Sequence, residues 1–248
     1  MEKKVLSIHF KCVDSTNRWV KQNYKSLNYA QITRVSTEEQ TKGRGRFTRK
    51  WFSPKGGNIY LTYFFVVLKN KIQSISNLAQ IFSLGIAQLL DREKLKVEIK
   101  WPNDLLIKGK KFAGILCETI DLDEKWGIIL GCGINVNMTT TDMIDQPATS
   151  LCIELDKNLS TRALIKNLEI LFLQNLDTYM KEGFCPFHKR YEKYLAYKGK
   201  YVTIEQNAHS ISGKILSVHP DGYLNLLSPS EGIKTIHSGT MNRSAISS

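Results

Sequence analysis

Residues 58–67 of the chain read NIYLTYFFVV, and residues 126–136 read WGIILGCGINV. Both stretches are almost continuously apolar and rich in β-branched or aromatic side chains, without the alternation of a half-exposed strand. Such a run is typical of a strand that is covered on both faces. The two stretches therefore predict buried strands of a mixed α/β sheet.

Two amphipathic helices are predicted to pack on this sheet. The first is opened by Ser76 or Asn77, and its apolar side chains recur at helical spacing, at Leu78, Ile81, Phe82, Leu84, Leu89 and Leu90. The second begins after Ser160, a favourable N-cap, and ends near Gly183.

The last fifty residues change to short apolar segments separated by turn residues. The segments are residues 201–205, 211–218, 223–227 and 233–237, and the turns are residues 207–208, 220–222 and 230–232. This spacing predicts a small β-barrel. We place the domain boundary near Tyr197, which gives a first domain of residues 1–197 and a second of residues 198–248.

Composition excludes several classes of protein. The chain has 248 residues, and 35 lysines and arginines against 23 aspartates and glutamates give a formal net charge of +12. Its hydrophobic fraction of 42% excludes a disordered chain, and no apolar run approaches the ~18 residues that cross a bilayer. The charge favours an anionic partner, which can be nucleic acid, a nucleotide phosphate or an acidic protein.

Cysteines and histidines offer no recognisable metal or disulfide pattern. The five cysteines are odd in number and form no CxxC pair, so we expect reduced, mostly buried thiols in a cytoplasmic protein. The five histidines have no metal-ligand spacing, and a structural zinc site is not expected.

The most unusual segment is residues 43–51, GRGRFTRKW, which has four cations in nine positions. Glycines let backbone amides approach an anion, and arginine matches phosphate oxygens in a bidentate manner. A clamp for a polyphosphate and a solvated basic loop or nucleic-acid patch are equally compatible with this composition. The spacing fits neither a Walker A loop nor GxGxxG.

Three further segments carry polar residues that are compatible with a site. Residues 100–104 read KWPND and residues 110–116 read KKFAGIL; if the strands return antiparallel, Lys100, Asp104 and Lys111 converge, although spacing alone favours an ordinary hairpin. Residues 14–17, DSTN, open a helix as an ordinary N-cap or as a polar ligand site. Residues 131–133, GCG, allow close approach of a ligand to the backbone.

Taken together, these segments resemble the biotin protein ligase family. The matching motifs occur in the family's order: DSTN at residues 14–17, ExQxxGRGR at 38–46, RKWxSPxGxNIYLT at 49–62, KWPND at 100–104, KxxGIL at 111–116 and GxGINV at 131–136. The resemblance implies an α/β catalytic domain related to class II aminoacyl-tRNA synthetases, followed by an SH3-like β-barrel. It also implies a cytoplasmic enzyme that is a monomer or homodimer.

The implied reaction joins biotin and ATP, with Mg²⁺ on the phosphates, into biotinyl-5′-adenylate. Biotin then passes to a lysine of a biotin carboxyl carrier protein. By resemblance, Lys111 and Arg46 are the catalytic residues. The positions that match the family's biotin and adenylate site are Ser15, Thr16, Asn17, Gln40, Gly43, Arg44, Gly45, Arg46, Trp51, Lys100, Asp104, Lys111 and Gly114. No metal-ligating residue is implied.

The chain departs from the family's pattern in the basic segment, where Phe47 replaces a commonly polar residue and Thr48 a frequent glycine. Only thirteen residues precede DSTN, so we expect no helix-turn-helix module and no specific DNA binding. A lipoate or octanoate ligase or transferase of the same fold is the nearest alternative. A nucleic-acid-binding protein is the alternative of another class.

Overall fold

The structure is a computed structural model that describes residues 4–47, 49–206, 209–229 and 231–247, without the side chains of 242–247. The predicted turn at residues 207–208, and residue 230 of another turn, lie outside this part of the chain. The elements in chain order are β1 Val5–Phe10, α1 Thr16–Asn23, β2 Ile32–Thr37, β3 Ile59–Leu68, α2 Ile75–Asp91, β4 Val97–Lys100, β5 Asp104–Ile107, β6 Lys110–Leu122, β7 Lys125–Ile134, α3 Leu151–Leu155, α4 Thr161–Glu182, α5 Cys185–Lys193, β8 Tyr201–Gln206, β9 His209–Val218, β10 Leu224–Ser228, β11 Gly232–Ile236 and β12 Thr240–Ser247.

A seven-stranded mixed sheet forms the larger part of the molecule, in the order β1-β2-β3-β7-β6-β5-β4. β1 and β2 are parallel, and the other neighbours are antiparallel. The two apolar runs of the sequence are β3 and β7, which pair along their whole length in the middle of the sheet. The predicted mixed α/β fold is confirmed, because only a strand with neighbours on both sides and layers on both faces tolerates such continuous apolar sequence.

Helices cover both faces of this sheet. On one face α1 inserts Val20 against Val35, Phe64 and Ile129. On the other face α2, α4 and α5 enclose a larger core in which Phe82 and Phe172 contact Tyr63. No helix of the described residues is long and apolar enough to cross a membrane.

Helix boundaries follow the polar residues that sequence reasoning selected, with one shift. Ser160 caps α4 by accepting a hydrogen bond from the backbone N–H of Ala163, and Gly183 ends the helix at φ +68°. α2 begins at Ile75 after Ser74, one to two residues before the predicted Ser76 or Asn77. Asn77 instead lies inside the helix, where its buried side chain donates to the carbonyl of Asp221.

The C-terminal residues form a separate five-stranded sheet in the order β11-β10-β9-β8-β12. Its first four strands lie where the sequence predicts them. β12 was missed, because the sequence after residue 237 is polar and lacks the alternation of a strand. The division of the chain at residue 197 stays a prediction.

One tight turn of the C-terminal sheet docks on the larger sheet. The carbonyl oxygen of Gly222 accepts hydrogen bonds from Trp101 Nε1 at 3.0 Å and from Gln80 Nε2 at 2.6 Å. Gly222 has φ +87°, and a Cβ atom there would lie 2.3 Å from Asn77 Nδ2. Only glycine therefore fits this junction between α2, Trp101 and the C-terminal sheet.

We expect Gly222→Ala to lower the free energy of unfolding by about 3 kcal/mol, since it adds overpacking to an unfavourable backbone conformation. Gly232→Ala is the matched control, because its φ is +71° and no atom lies within 4 Å of the added Cβ. The control should lose about 1 kcal/mol. Equal losses in denaturant unfolding of the two variants would contradict the proposed crowding at Gly222.

Candidate active site

Twelve of the thirteen sequence-predicted site residues line one cleft, part of which is open to solvent. They come from the start of α1, Gln40 before the basic segment, the basic segment itself, the end of β4, and β5 and β6. The exception is Gly43, the first residue of the basic segment. It lines a second hollow, on the side of this segment that faces away from the cleft. A Cβ atom at Gly43 would lie 2.3 Å from the carbonyl oxygen of Trp51, so its role here is to let the segment close on itself.

The basic segment is a small irregular hairpin beside the cleft. Arg44 and Lys50 form an antiparallel bridge, and the N–H of Gly45 donates to the carbonyl of Arg49 at 2.8 Å. Phe47 at its tip has φ +58° and is 66% exposed. Thr48, the other departure from the family's pattern, lies outside the described residues.

Arg46 leaves this hairpin and reaches two other parts of the chain. Its guanidinium donates to Asn103 Oδ1 at 3.3 Å and to the carbonyl oxygen of Gly239 at 3.0 Å. Burial lowers the pKa of Arg46, and the charge of Asp104 opposes this effect. The guanidinium keeps its charge, because arginine side chains are not deprotonated in proteins.

Lys111 and Asp104 form an ion pair inside the cleft, with 2.7 Å between Lys111 Nζ and Asp104 Oδ1. The convergence that the sequence allowed depends on β5, a four-residue strand that pairs antiparallel with both β4 and β6. Asp104 is the first residue of β5 and not part of a turn; in the register of the sheet it is the partner of Lys100. The structure thus brings Lys100, Asp104 and Lys111 together.

Three glycines of the central hairpin leave the sheet bare beneath the cleft. Gly114 of β6 lies opposite Gly133 of β7, and Gly131 lies two residues from Gly133 on the same face. A Cβ at Gly133 would lie 2.4 Å from Trp51 Nε1, and a Cβ at Gly114 would lie 3.3 Å from the same indole. The sequence predicted that a ligand approaches this backbone, whereas the side chain of Trp51 occupies that place.

Packing holds the side chain of Trp51 against Gly114 and Gly133. Lys111 Nζ lies 5.2 Å from the centre of an indole ring, a cation–π arrangement. The indole Nε1 is buried and has no hydrogen-bond partner among the described residues. These contacts support the interpretation that Trp51 packs the basic segment onto the sheet.

A network of polar side chains lies at the end of the cleft near α1. Thr16, Asn17 and Gln40 line the cleft, and Thr62 and Glu118 lie behind them. We call these five residues the floor network. Gln40 Oε1 accepts from the backbone N–H of Thr16 at 2.9 Å, and Thr62 Oγ1 lies 2.7 Å from both Thr16 Oγ1 and Asn17 Oδ1. Asn17 Nδ2 donates to Glu118 Oε2 at 2.8 Å.

Sequence reasoning missed two members of this network and several residues of the cleft wall. Thr62 is the polar residue within the apolar run of β3, a signal that the sequence carried. Glu118 gave no local signal, because it meets Asn17 only through the pairing of β6 with the sheet. Thr240 and Met241 of β12 also line the cleft.

Cys132 also lines the cleft, and burial raises the pKa of its thiol, which makes it a poor nucleophile. The expectation that the cysteines are mostly buried is wrong. All five lie among the described residues and are free thiols, but Cys12 and Cys185 are exposed and Cys132 is the buried one. Cys12 lies in a loop and Cys185 at the start of α5, and these surface positions explain why both thiols are exposed.

Comparison with known proteins identifies relatives over most of the chain. The model of the biotin/lipoate A/B protein ligase family matches residues 9–135. The bifunctional ligase/repressor BirA of Bacillus subtilis (strain 168) is 32% identical over 85% of this chain and 66% of its own length. BirA of Escherichia coli (strain K12) is 34% identical over 73% of this chain and 56% of its own. The chain therefore spans slightly less than two thirds of the length of the Bacillus subtilis relative and just over half of the length of the Escherichia coli relative.

A solved structure agrees over nearly the whole chain. It is a biotin protein ligase from Aquifex aeolicus in complex with biotin and ATP, with 29% identity and a TM-score of 0.83. The match covers 96% of this chain and 97% of that one.

We expect Gly133→Ala to displace Trp51 and so detach the basic segment from the sheet. Trypsin should then cut within residues 44–50 about tenfold faster, which corresponds to ~1.4 kcal/mol of lost local stability. Gly127→Ala in the same strand is the control, since its Cβ meets nothing closer than 3.2 Å. An unchanged cleavage rate in Gly133→Ala would show that Trp51 does not anchor the segment.

Proposed function

The chain belongs to the biotin/lipoate A/B protein ligase family, and we propose that it is a biotin protein ligase. It activates biotin with ATP to biotinyl-5′-adenylate, releases pyrophosphate, and passes biotin to a lysine of a carrier protein. The names of its curated relatives and the biotin and ATP of the similar solved structure support this assignment.

The observation that carries the proposal is the charge of the cleft. Among the residues that the structure describes, six cationic side chains line it against a single carboxylate, that of Asp104, which already pairs with Lys111. The cations are Arg44, Arg46, Arg49, Lys50, Lys100 and Lys111. A biotin carboxylate that attacks the α-phosphate of ATP is an anion approaching an anion, so a cleft of this charge lowers the cost of the encounter.

Lys111 and Arg46 are the residues best placed for the first step. Lys111 Nζ is held on the rigid β6 by Asp104, from which it can contact both a carboxylate and a phosphate oxygen. Arg46 is fixed by Asn103 and Gly239, so its charge is preorganised when the oxygen–phosphorus bond forms and pyrophosphate leaves. In the second step the carrier lysine attacks the acyl carbon, and AMP leaves.

Mg²⁺ belongs to the proposal as a metal carried by the nucleotide. The described residues contain no cluster of three or more His, Cys, Asp or Glu side chains that could hold a metal ion. Mg²⁺ commonly binds through phosphates, waters and one or two carboxylates. The cleft, in which Asp104 supplies a carboxylate, fits such a role. When bound, it neutralises phosphate charge; Lys111 and Arg46 then act on the remaining anionic oxygens.

The basic segment also limits access of water to the adenylate, a mixed anhydride that water hydrolyses. Its hairpin lies between the cleft and the second hollow, and four of its residues border both: Arg44, Arg49, Lys50 and Trp51. A segment in this position excludes solvent when it closes on a bound adenylate. Trp51, packed on Gly114 and Gly133, is the anchor from which it closes.

Finer features of the assignment are part of the same proposal. The mixed sheet supports a catalytic domain related to class II aminoacyl-tRNA synthetases, with residues 1–197 as its extent. The five-stranded C-terminal sheet supports an SH3-like barrel. The carrier is the biotin carboxyl carrier domain of a carboxylase, and the protein acts in the cytoplasm.

Exchange of labelled pyrophosphate into ATP tests the function directly. We expect exchange that depends on biotin and is absent with lipoate or octanoate, because adenylation is reversible and specific for the acid. Exchange with lipoate or octanoate but not with biotin would contradict the assignment in favour of the related transferases.

We expect Lys111→Ala to lower the rate of biotin-dependent exchange by about 10²- to 10³-fold, the usual effect of losing one preorganised charge contact. Lys108→Ala is the control, since Lys108 lies nearby but is 79% exposed and pairs with Glu154 outside the cleft. Circular dichroism and thermal unfolding establish that both variants fold. A near-normal rate in folded Lys111→Ala would remove Lys111 from the mechanism.

A further inference from the structure

The floor network has a fixed direction of hydrogen bonding, and Glu118 sets it. Glu118 does not line the cleft; its Oε1 lies 2.7 Å from Lys21 Nζ and its Oε2 accepts from Asn17 Nδ2 at 2.8 Å. A carboxylate has no hydrogen to donate, so the amide group of Asn17 must turn its NH₂ toward Glu118. Two acceptors thus orient the Asn17 amide, the carbonyl of Leu116 at 3.3 Å and the closer, charged Glu118 at 2.8 Å, which lies outside the cleft.

This orientation passes to the two threonines. With its NH₂ on Glu118 and on the carbonyl of Leu116, Asn17 presents Oδ1 to Thr62 Oγ1 at 2.7 Å. An amide oxygen can only accept, so the single hydroxyl hydrogen of Thr62 points to Asn17. The hydroxyl hydrogen of Thr16 then has acceptors within the network, at Gln40 Oε1 and Thr62 Oγ1.

The result is that Thr16 Oγ1 offers the cleft a lone pair and not a hydrogen. Asn17 lies directly on the backbone of Gly131, where its Oδ1 is 2.1 Å from the place that a Cβ would take. Thr62 is fully buried and Asn17 is 5% exposed, so water does not compete for these bonds. A ligand group with an N–H donor fits this floor, and a purely apolar or acceptor group does not.

We propose that Glu118 is a positioning residue that selects ligands with an N–H donor, acting through Asn17, Thr62 and Thr16. The inference rests on the proposed function, since the ureido ring of biotin carries N–H groups that octanoate and the dithiolane of lipoate lack. Lys21 takes part in the same arrangement, because its ammonium group binds Glu118 Oε1 and holds this oxygen away from Asn17.

Glu118→Gln tests the direction of the bonds. The Lys21 ammonium attracts the carbonyl oxygen of the new amide, so the NH₂ group faces Asn17 and reverses the amide of Asn17. Thr62 then receives a hydrogen from Asn17 and gives its own to Thr16, which occupies one of the two lone pairs of Thr16 Oγ1 and leaves the ligand N–H a weaker acceptor. We expect the Kd for biotin, measured by isothermal titration calorimetry, to rise about tenfold. The rate of exchange at saturating biotin should stay within about twofold, because the cations of the cleft are untouched.

A charge swap distinguishes direction from damage. Asn17→Asp combined with Glu118→Gln places an NH₂ donor at residue 118 against an acceptor at residue 17, whose second oxygen still accepts from Thr62. The double variant should recover a Kd within about twofold of the unmodified protein, whereas Asn17→Asp alone sets two carboxylates against each other and binds biotin weakly. Asp121→Asn is the control, since it removes an exposed carboxylate of the same strand, whose ion-pair partner among the described residues is Lys69.

The outcomes separate the two proposals. If the unmodified protein binds no biotin, the proposed function fails. If it binds biotin but Glu118→Gln leaves the Kd unchanged, or the swap restores nothing, Glu118 does not set ligand selection while the function stands. An equal weakening in Asp121→Asn would likewise overturn the role of Glu118.

Discussion

The absence of side chains on one patch of the central hairpin is the constraint on which the site depends. Gly114 and Gly133 face each other across β6 and β7, and Gly131 continues the bare surface toward α1. A strand interior usually rejects glycine, because the sheet loses packing and the unfolded chain gains entropy. Here the loss leaves room for Trp51 and Asn17 to lie directly on the backbone. One side chain anchors the basic segment, and the other transmits the polarity of Glu118.

Charge is distributed over the cleft in two ways that serve different ends. Four of the cations, Arg44, Arg46, Arg49 and Lys50, belong to the basic segment, an irregular hairpin that Trp51 packs onto the sheet. Lys111 belongs to a strand and is fixed by Asp104, so its position does not depend on the loop. Among the described residues, the carboxylate of Asp104 fixes one of the six cations, Lys111. The cleft as a whole remains attractive to anions.

The C-terminal sheet is joined to the cleft as well as to the core. Gly239 accepts from Arg46, Thr240 and Met241 line the cleft, and Gly222 accepts from Trp101 of the KWPND turn. The carbonyl oxygen of Gly222 also accepts from Gln80 of α2, so the position of the C-terminal sheet is coupled to this core helix. Displacement of the C-terminal sheet would therefore alter both Arg46 and the turn that precedes Asp104.

The sequence by itself determined the elements whose signals are local. Continuous apolar runs marked β3 and β7, Ser160 and Gly183 marked the ends of α4, and the ordered motifs marked the residues that the cleft collects. Only the tertiary structure decided which of these side chains meet. The short β5 brings Asp104 to Lys111, and strand pairing brings Glu118 to Asn17, 101 residues away in the chain. Arg46 meets Gly239 across 193 residues. Such contacts depend on register and on the docking of two sheets, for which neighbouring residues in the sequence carry no pattern.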